Sequence, residues 1–521
     1  MRHVTGTRSF VRARGTVAVL AACGLALAGC GEEDSDAGNP AAQTVNSPAQ
    51  IAQVSADDYN DNENGLITAQ TLMHWIDDWE NNRPDAIDGR LVVLQLSRGP
   101  DYTEEEDDED GEGDDGYAAG VEEGDAAPEA GGNLSYITPK PEEGVLSYTI
   151  DPGLLVQSRT NGVIETVSMV PDGPTMDEIL KAYGLDPTRD MIVWAIGEGG
   201  NGMVMRQGRG WYMMRYWGTP KENLAKLNGM FHHEAVMDPS YLGGEVTCDA
   251  LDDGLEAGCL PNNGRVSVRD LPEDNISLQA TLEDMIEVAE GRSDAFVWDA
   301  RSRNEYAAWD RGDDDDGNPQ GVDFRNSAAL QGHPDGAVVL PWTNILKPDG
   351  SARYKSKADI EAYMNGALVD DAQFEYHDSG SLIPLGEGNA YQPGQPVITY
   401  CETTFRAMIT GFASAAILGV PNRFYDGAMR EWNSLAGGIQ DKYGSEILPA
   451  DSPWRTDLAG RSHFVYNDPT VVDSRDIQDA YADRTNKVTS EDRAYRLGTG
   501  GNGGDGGNGG GIAPPANPCG G

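Results

Sequence analysis

The stretch Pro396-Val397-Ile398-Thr399-Tyr400-Cys401-Glu402-Thr403-Thr404-Phe405-Arg406 passes from a β-branched and aromatic run into a helix-forming segment, with one cysteine at the junction. A run that is apolar on both faces predicts a buried parallel strand. Phe405 to Leu418, rich in Ala, Ile and Met at helical spacing, predicts a helix that Gly419 stops. Cys401 therefore closes a strand and opens a helix. Loop amides at such a junction point inward, and the helix dipole adds partial positive charge, so a thiolate or an anion attached to it is stabilised. Arg406, five residues on, falls at the rim of the same cradle. Cys-x4-Arg in this setting can be a sulfur-nucleophile site that holds an oxyanion; spacing alone equally admits a structural buried cysteine.

The flanks extend the pattern. Phe296-Val297-Trp298-Asp299-Ala300-Arg301 is another short apolar run ending in charge, and Arg423-Phe424-Tyr425-Asp426-Gly427 with a Trp-containing turn follows the helix. The first half repeats the order with different chemistry. Leu91 to Leu94 and Asp190 to Trp194 are strand candidates, Gly210 to Trp217 is a helix candidate stopped by Gly218, and Leu224 to Gly229 stands where Phe424 to Gly427 stands later. Strands alternating with helices imply an α/β chain of mostly parallel sheets covered by helices on both faces. The shared order of strand, helix, Gly stop and Asn/Asp-Gly turn predicts a duplicated unit.

Over residues 275–436 the chain resembles the rhodanese family. The resemblance is carried by Val297-Trp298-Asp299-Ala300-Arg301 with Glu305-Tyr306, by Gly332-His333-Pro334-Asp335-Gly336-Ala337 and by Leu340-Pro341-Trp342. It continues through the Cys401 to Arg406 loop to Tyr425-Asp426-Gly427 and Glu431-Trp432. It implies two rhodanese-like domains and a sulfurtransferase of the thiosulfate or 3-mercaptopyruvate type. Cys401 would take sulfane sulfur from a small donor as a persulfide and pass it to a thiol or cyanide. Arg406 would hold the donor's anionic end, and the amides of Glu402, Thr403, Thr404 and Phe405 would cradle the persulfide. Asp299 and Arg301 would brace the loop, and His333 would be structural. The first half resembles the non-catalytic domain of tandem rhodaneses, with Ala195 aligned to Cys401. No cofactor and no metal is implied; His232-His233 is adjacent rather than at helical ligand spacing.

Three departures bear on the chemistry. Thr404 stands where the family usually has Gly, which bears on the tight amide cradle. Glu402 directly after the nucleophile would oppose an anionic donor and raise the thiol pKa. Glu305 stands where tandem thiosulfate enzymes carry an anion-binding Arg. Two other functions therefore stay open: a non-enzymatic sulfur carrier or partner-binding lipoprotein, and handling of selenite- or tellurite-type oxyanions at the same cysteine. The six-residue loop favours sulfur over phosphate chemistry by family analogy.

The ends place the chain. Arg2, Arg8, Arg12 and Arg14 precede the uncharged run Thr16–Leu27, which is shorter than the roughly 20 residues a membrane span needs. Leu27-Ala28-Gly29-Cys30 resembles the lipobox of bacterial lipoproteins, which implies cleavage and lipidation at Cys30; an ordinary secretory signal with a chance cysteine is the other reading. Export to the cell envelope follows from both, periplasmic or at the cell surface, and an outer-membrane location is compatible with a Gram-negative cell. Cleavage leaves 34 basic residues against 86 acidic, a net charge of −52. That charge argues against nucleic acid and against adhesion to anionic lipid. Cys248 and Cys259 flank a short acidic loop and form a disulfide candidate in an oxidising compartment. The acidic run 101–132 predicts a solvated, disordered insert rather than a calcium loop.

The expected organisation is a signal peptide at 1–29, a flexible tether at 30–62 and an N-terminal rhodanese-like domain at 63–240. An inter-domain linker at 241–274, a C-terminal catalytic domain at 275–440, an extension at 441–497 and a Gly-rich flexible tail at 498–521 complete it.

Overall fold

The computed structural model describes residues 43–96, 136–161, 165–197, 200–243, 266–302, 305–306, 332–366, 390–432, 452, 454–455 and 487–499. The signal segment, Cys30, the acidic run, Cys248, Cys259 and the Gly-rich tail from residue 500 lie outside the described residues.

In chain order the main elements of the first half are β1 (Gly65–Ile67), α1 (Ala69–Asp77), β2 (Leu91–Leu96), β3 (Val145–Thr149), the hairpin β4 (Gln157–Thr160) and β5 (Glu165–Met169), α2 (Gly173–Ala182), β6 (Met191–Ile196), α3 (Gly200–Tyr216) and β7 (Leu224–Met230). The second half has β8 (Gln279–Ala280), α4 (Leu282–Ala289), β9 (Phe296–Asp299), β10 (Ala337–Val339), α5 (Lys357–Met364), β11 (Val397–Tyr400), α6 (Phe405–Phe412), β12 (Asn422–Tyr425), α7 (Ala428–Trp432) and α8 (Lys487–Arg496).

Two five-stranded, all-parallel sheets result, ordered β1-β7-β6-β2-β3 and β8-β12-β11-β9-β10. Each position in one sheet has its counterpart in the other. Every residue of β2 and β6 is buried, as the continuous apolar runs predict for parallel strands covered on both faces.

The two sheets do not keep separate cores. Their facing sides, with α3 and α6 between them, merge into one apolar cluster that includes Trp194, Trp211, Tyr212, Met408 and Phe412, while each outer face has its own smaller cluster. Trp211 meets Phe412 edge-on with ring centroids 4.9 Å apart. The helices come this close because Gly208 has no side chain; a Cβ there would lie 2.9 Å from the Met408 carbonyl oxygen. Helix α3 starts ten residues before the predicted Gly210, since its Gly-rich first turns are held by burial of Met203, Val204 and Met205 rather than by propensity. The helix after Cys401 is α-helical to Phe412 and continues as a π-helical turn, Ala413–Ile417, before the Gly419 stop.

That turn corrects the tether. Residues 43–62 are part of the fold: Gln53 N–H donates to the Ala415 carbonyl (2.8 Å), Ser55 N–H to Ile417 (3.0 Å), and Ile51 and Tyr59 are buried. Thr44–Val45 pairs in parallel with Glu273–Asp274, so the described part of the 241–274 linker is structured as well. Backbone pairing, which needs no apolar side-chain pattern, orders both segments. The C-terminal extension contributes α8, whose Asp492 forms a buried two-point ion pair with Arg159 of β4 (2.7 and 2.9 Å) and accepts from Tyr216 Oη (2.6 Å).

Asp492→Ala leaves the Arg159 guanidinium buried without its carboxylate. The expected cost is about 3–5 kcal/mol, read as a lowered urea midpoint. A loss below about 1 kcal/mol, the size of an exposed pair, would show α8 to be peripheral.

Candidate active site

Cys401 sits at the C-terminal end of β11 and is fully buried; it is the free cysteine among the described residues. Burial pushes its thiol pKa up, opposed by the charge of Arg406 and by amide hydrogen bonds to the sulfur from Ala407, Thr403 and Arg406. The amides belong to the loop and to the first turn of α6, whose N–H groups have no intrahelical acceptor. Of the expected cradle amides of Glu402, Thr403, Thr404 and Phe405, that of Thr403 is among those acting on the sulfur, joined by Arg406 and Ala407 from the first turn of the helix. The raised pKa comes from desolvation, and the Glu402 carboxylate is turned to Arg301 Nη1 (3.3 Å).

Thr404 takes the place of the usual Gly and adopts the Gly conformation, with φ +80°. A β-branched residue in this region carries strain on the order of 1–3 kcal/mol. Its hydroxyl donates to Asp426 Oδ1 at 2.9 Å.

Asp299 and Arg301 meet at the end of β9. Arg301 binds Asp299 through Nε (3.0 Å) and Nη2 (2.7 Å), and its Nη2 also donates to the Gly332 carbonyl (2.7 Å). Tyr400 Oη donates to Asp299 Oδ2 at 2.5 Å. The pair thus fixes the residue before Cys401 and, through Glu402, the residue after it. His333 stacks flat on Tyr306 at 3.6 Å, and its Nδ1 lies 2.8 Å from the Tyr306 carbonyl. Burial pushes its pKa down to about 4.

Arg406 does not stand open. Its two terminal nitrogens bind the two Glu305 oxygens at 2.8 and 2.7 Å, and the Ser302 amide donates to Glu305 as well (2.9 Å). Burial works against the Glu305 carboxylate, yet Arg406 holds its pKa well below the usual carboxylate range. The charge beside the thiol is thereby largely neutralised.

The equivalent place in the first half is Ile196, one residue beyond the aligned Ala195. Asp299 pairs with Tyr400 and Gln95 with Ala195, and the ladders of β11 and β6 to their other neighbours start at Val397 and Ile192. Cys401 and Ile196 both face the shared core, whereas Ala195 and Tyr400 face outward. The conclusion that the first half has no thiol there stands, with Ile in place of Ala.

Asp426 and Glu431, which carry the family resemblance in the sequence but are given no role there, are buried and bind the first half. Asp426 is fully buried and binds Arg209 of α3, which is fully buried too; Arg209 Nη2 reaches Oδ2 at 3.2 Å, and Nη1 reaches Oδ1. Asp426 Oδ2 also accepts the Val170 amide at 2.6 Å. Glu431 accepts from Asn161 of the first half (2.5 Å), and burial pushes its pKa up to about 7. An Arg between glycines on a helix, as in Gly208-Arg209-Gly210, is the one signal that close packing and a buried partner were required. Among the described residues no group of three or more potential metal ligands comes together.

No family model matches the chain. It is 30% identical over 158 residues to the sulfur carrier protein TtuD of Thermus thermophilus, covering 30% of this chain and 44% of that protein. It is 24% identical over 275 residues to the 3-mercaptopyruvate sulfurtransferase of Escherichia coli, covering 51% of this chain and 73% of that enzyme. The chain thus spans less than half the length of the Thermus relative and about three quarters of the E. coli one. Among solved structures it matches the Tum1 protein of Saccharomyces cerevisiae at 14% identity and a TM-score of 0.41, over 74% of this chain and 99% of that one. By sequence, over part of its length, the chain is similar to a sulfur carrier protein and to sulfurtransferases.

Proposed function

We propose that the chain is a sulfurtransferase working through a persulfide on Cys401. The observation that carries this is the buried thiol of Cys401 between the end of β11 and the N-terminus of α6, where the backbone N–H groups of the loop and first helical turn favour a negatively charged sulfur. The Cys401 thiolate attacks the outer sulfur of the donor, and the bond from that sulfur to the rest of the donor breaks, its electron pair leaving with, for thiosulfate, sulfite. The new Cys401–S–S⁻ group is an anion in a ring of N–H donors, the arrangement that lowers its energy. A thiol or cyanide then attacks the terminal sulfur, and the electron pair returns to Cys401. Asp299 and Arg301 serve as braces of the loop.

The Glu305–Arg406 pair bears on the donor. A dianion such as thiosulfate must displace a carboxylate already held at two points, whereas a donor with less charge at the attacked end need not. The same pair favours the second reading, a sulfur carrier that loads and unloads by protein contact with slow turnover on small donors.

Export and anchoring belong to the same proposal: Cys30 as the lipidated mature N-terminus would hold the enzyme at the cell envelope. No helix among the described residues is long and apolar enough to cross a membrane.

Incubation with thiosulfate or mercaptopyruvate should add the mass of one sulfur atom to the intact protein, and Cys401→Ser should abolish it. Absence of the adduct with every donor, together with absence of thiocyanate formation from cyanide, would sink the sulfurtransferase reading. An adduct without turnover selects the carrier.

Glu305→Gln frees the Arg406 guanidinium. A charged hydrogen bond of about 1.5–3 kcal/mol predicts at least about tenfold faster loading from thiosulfate, with a smaller change for mercaptopyruvate. Equal changes for both donors would separate the pair from donor choice.

Expression in a bacterial host supplied with labelled palmitate should label the chain, and Cys30→Ala should remove the label. Label retained in Cys30→Ala would refute the anchor.

A further inference from the structure

The structure carries a connection from the thiol loop to the half of the chain that has no thiol. Thr404, the fourth residue of the loop, is held at φ +80°. Four donors meet on the Asp426 carboxylate: the Thr404 hydroxyl (2.9 Å), the Val170 amide (2.6 Å) and both terminal nitrogens of Arg209. Arg209 is itself fixed, its Nε donating to the Leu155 carbonyl (3.1 Å) and its Nη2 to Ser168 (2.9 Å). Arg209, Val170, Leu155 and Ser168 all belong to the first half. The backbone following Asp426 touches the loop from the other side, with the Met429 amide donating to the Cys401 carbonyl (3.0 Å) and the Arg430 amide to Glu402 (3.2 Å).

We infer that Arg209, Asp426 and Thr404 form a positioning relay by which the first half sets the amide cradle of Cys401. A glycine at position 404 would adopt the left-handed conformation unaided. A threonine would leave it unless its side chain were anchored, and its hydroxyl is anchored by Asp426. Asp426 in turn cannot turn away, because its carboxylate is saturated by Arg209 and Val170. The amide of Thr403 and the first turn of α6, which act on the sulfur, lie on either side of Thr404. Loss of the anchor therefore changes the direction of those N–H groups and raises the proportion of protonated thiol. The relay deepens the persulfide proposal, since its effect would be on the group proposed to carry sulfur, yet it concerns the thiol itself and needs no sulfur donor.

The test is the pH profile of Cys401 alkylation by iodoacetamide in the full chain, followed on the Cys401 peptide by mass spectrometry. Thr404→Ala removes the hydroxyl but still disfavours φ +80°; its profile is expected to move to higher pH, with at least about fivefold slower alkylation at pH 7.5, the pH being chosen below the ordinary thiol pKa of about 8.5. Thr404→Ser keeps the hydroxyl, and Thr404→Gly keeps the conformation without it, so both should stay within about twofold of the parent chain. Arg209→Gln should shift the profile like Thr404→Ala, and this effect should vanish in the Thr404→Gly background, since additivity fails where two residues act through one element. Equal profiles for Thr404→Ala and Thr404→Gly would overturn the relay, as would an Arg209→Gln effect that persists with Gly at 404. If Arg209→Gln does not fold, the Ala, Ser and Gly series at Thr404 decides alone. Failure of sulfur loading with a normal relay result would overturn the persulfide proposal and leave the relay standing.

Discussion

The carboxylate of Asp426 is the point on which the rest of the arrangement depends. It is fully buried, and it satisfies donors from the Cys401 loop, from helix α3 and from the strand end beside Val170. An isolated carboxylate in that position would carry a desolvation cost of several kcal/mol, which its partners must offset. Buried ion pairs contribute little net stability compared with apolar packing of the same volume. What the pair does supply is geometry: with four donors in fixed places, few alternative arrangements of the loop satisfy them all. The apolar packing of α3 on α6 brings Arg209 within reach, so the shared core and the loop are set by the same contact.

Charge next to the thiol follows a similar logic of neutralisation. Arg406 faces Glu305, Arg301 faces Asp299 and Glu402, and each cation in the site already has an anion. The field that would draw an anionic donor is therefore weak, and stabilisation of the proposed persulfide would fall to amide dipoles, which carry no counterion. Burial raises the thiol pKa for the same reason that it strengthens these dipoles. A site of this kind holds an anion once formed more readily than it recruits one from solution.

The parts of this arrangement that were legible in the sequence are those that local chemistry dictates. Val397 to Tyr400 is a strand because its residues are apolar on both faces, and Cys401 faces the core because it follows that strand. Asp299 and Arg301 were placed by their position at the end of another such strand. Three things were not legible. The identity of the residue equivalent to Cys401 depends on register, where a slip of one residue exchanges the inner face for the outer; Ala195 and Ile196 differ by that slip. Residues 43–62 carry few apolar side chains, and their order comes from backbone bonds to a π-helical turn more than 350 residues away. Thr404 reads as a defect in the loop pattern until Asp426 is seen beside it.

The two sheets share one strand order, yet their matching junctions differ in chemistry. The first half has the apolar Ile196 at this junction, packed in the shared core. The second half, however, has Cys401 at the matching junction and holds Thr404 in a strained backbone conformation beside it. Strain at a functional loop persists only where surrounding structure over-determines it. The first half supplies that over-determination through a residue, Arg209, that cannot be replaced from within the second sheet without placing a new charge in the shared core. The thiol-free half thus braces the loop that carries Cys401 through Arg209 and Asp426, and the two sheets share one core.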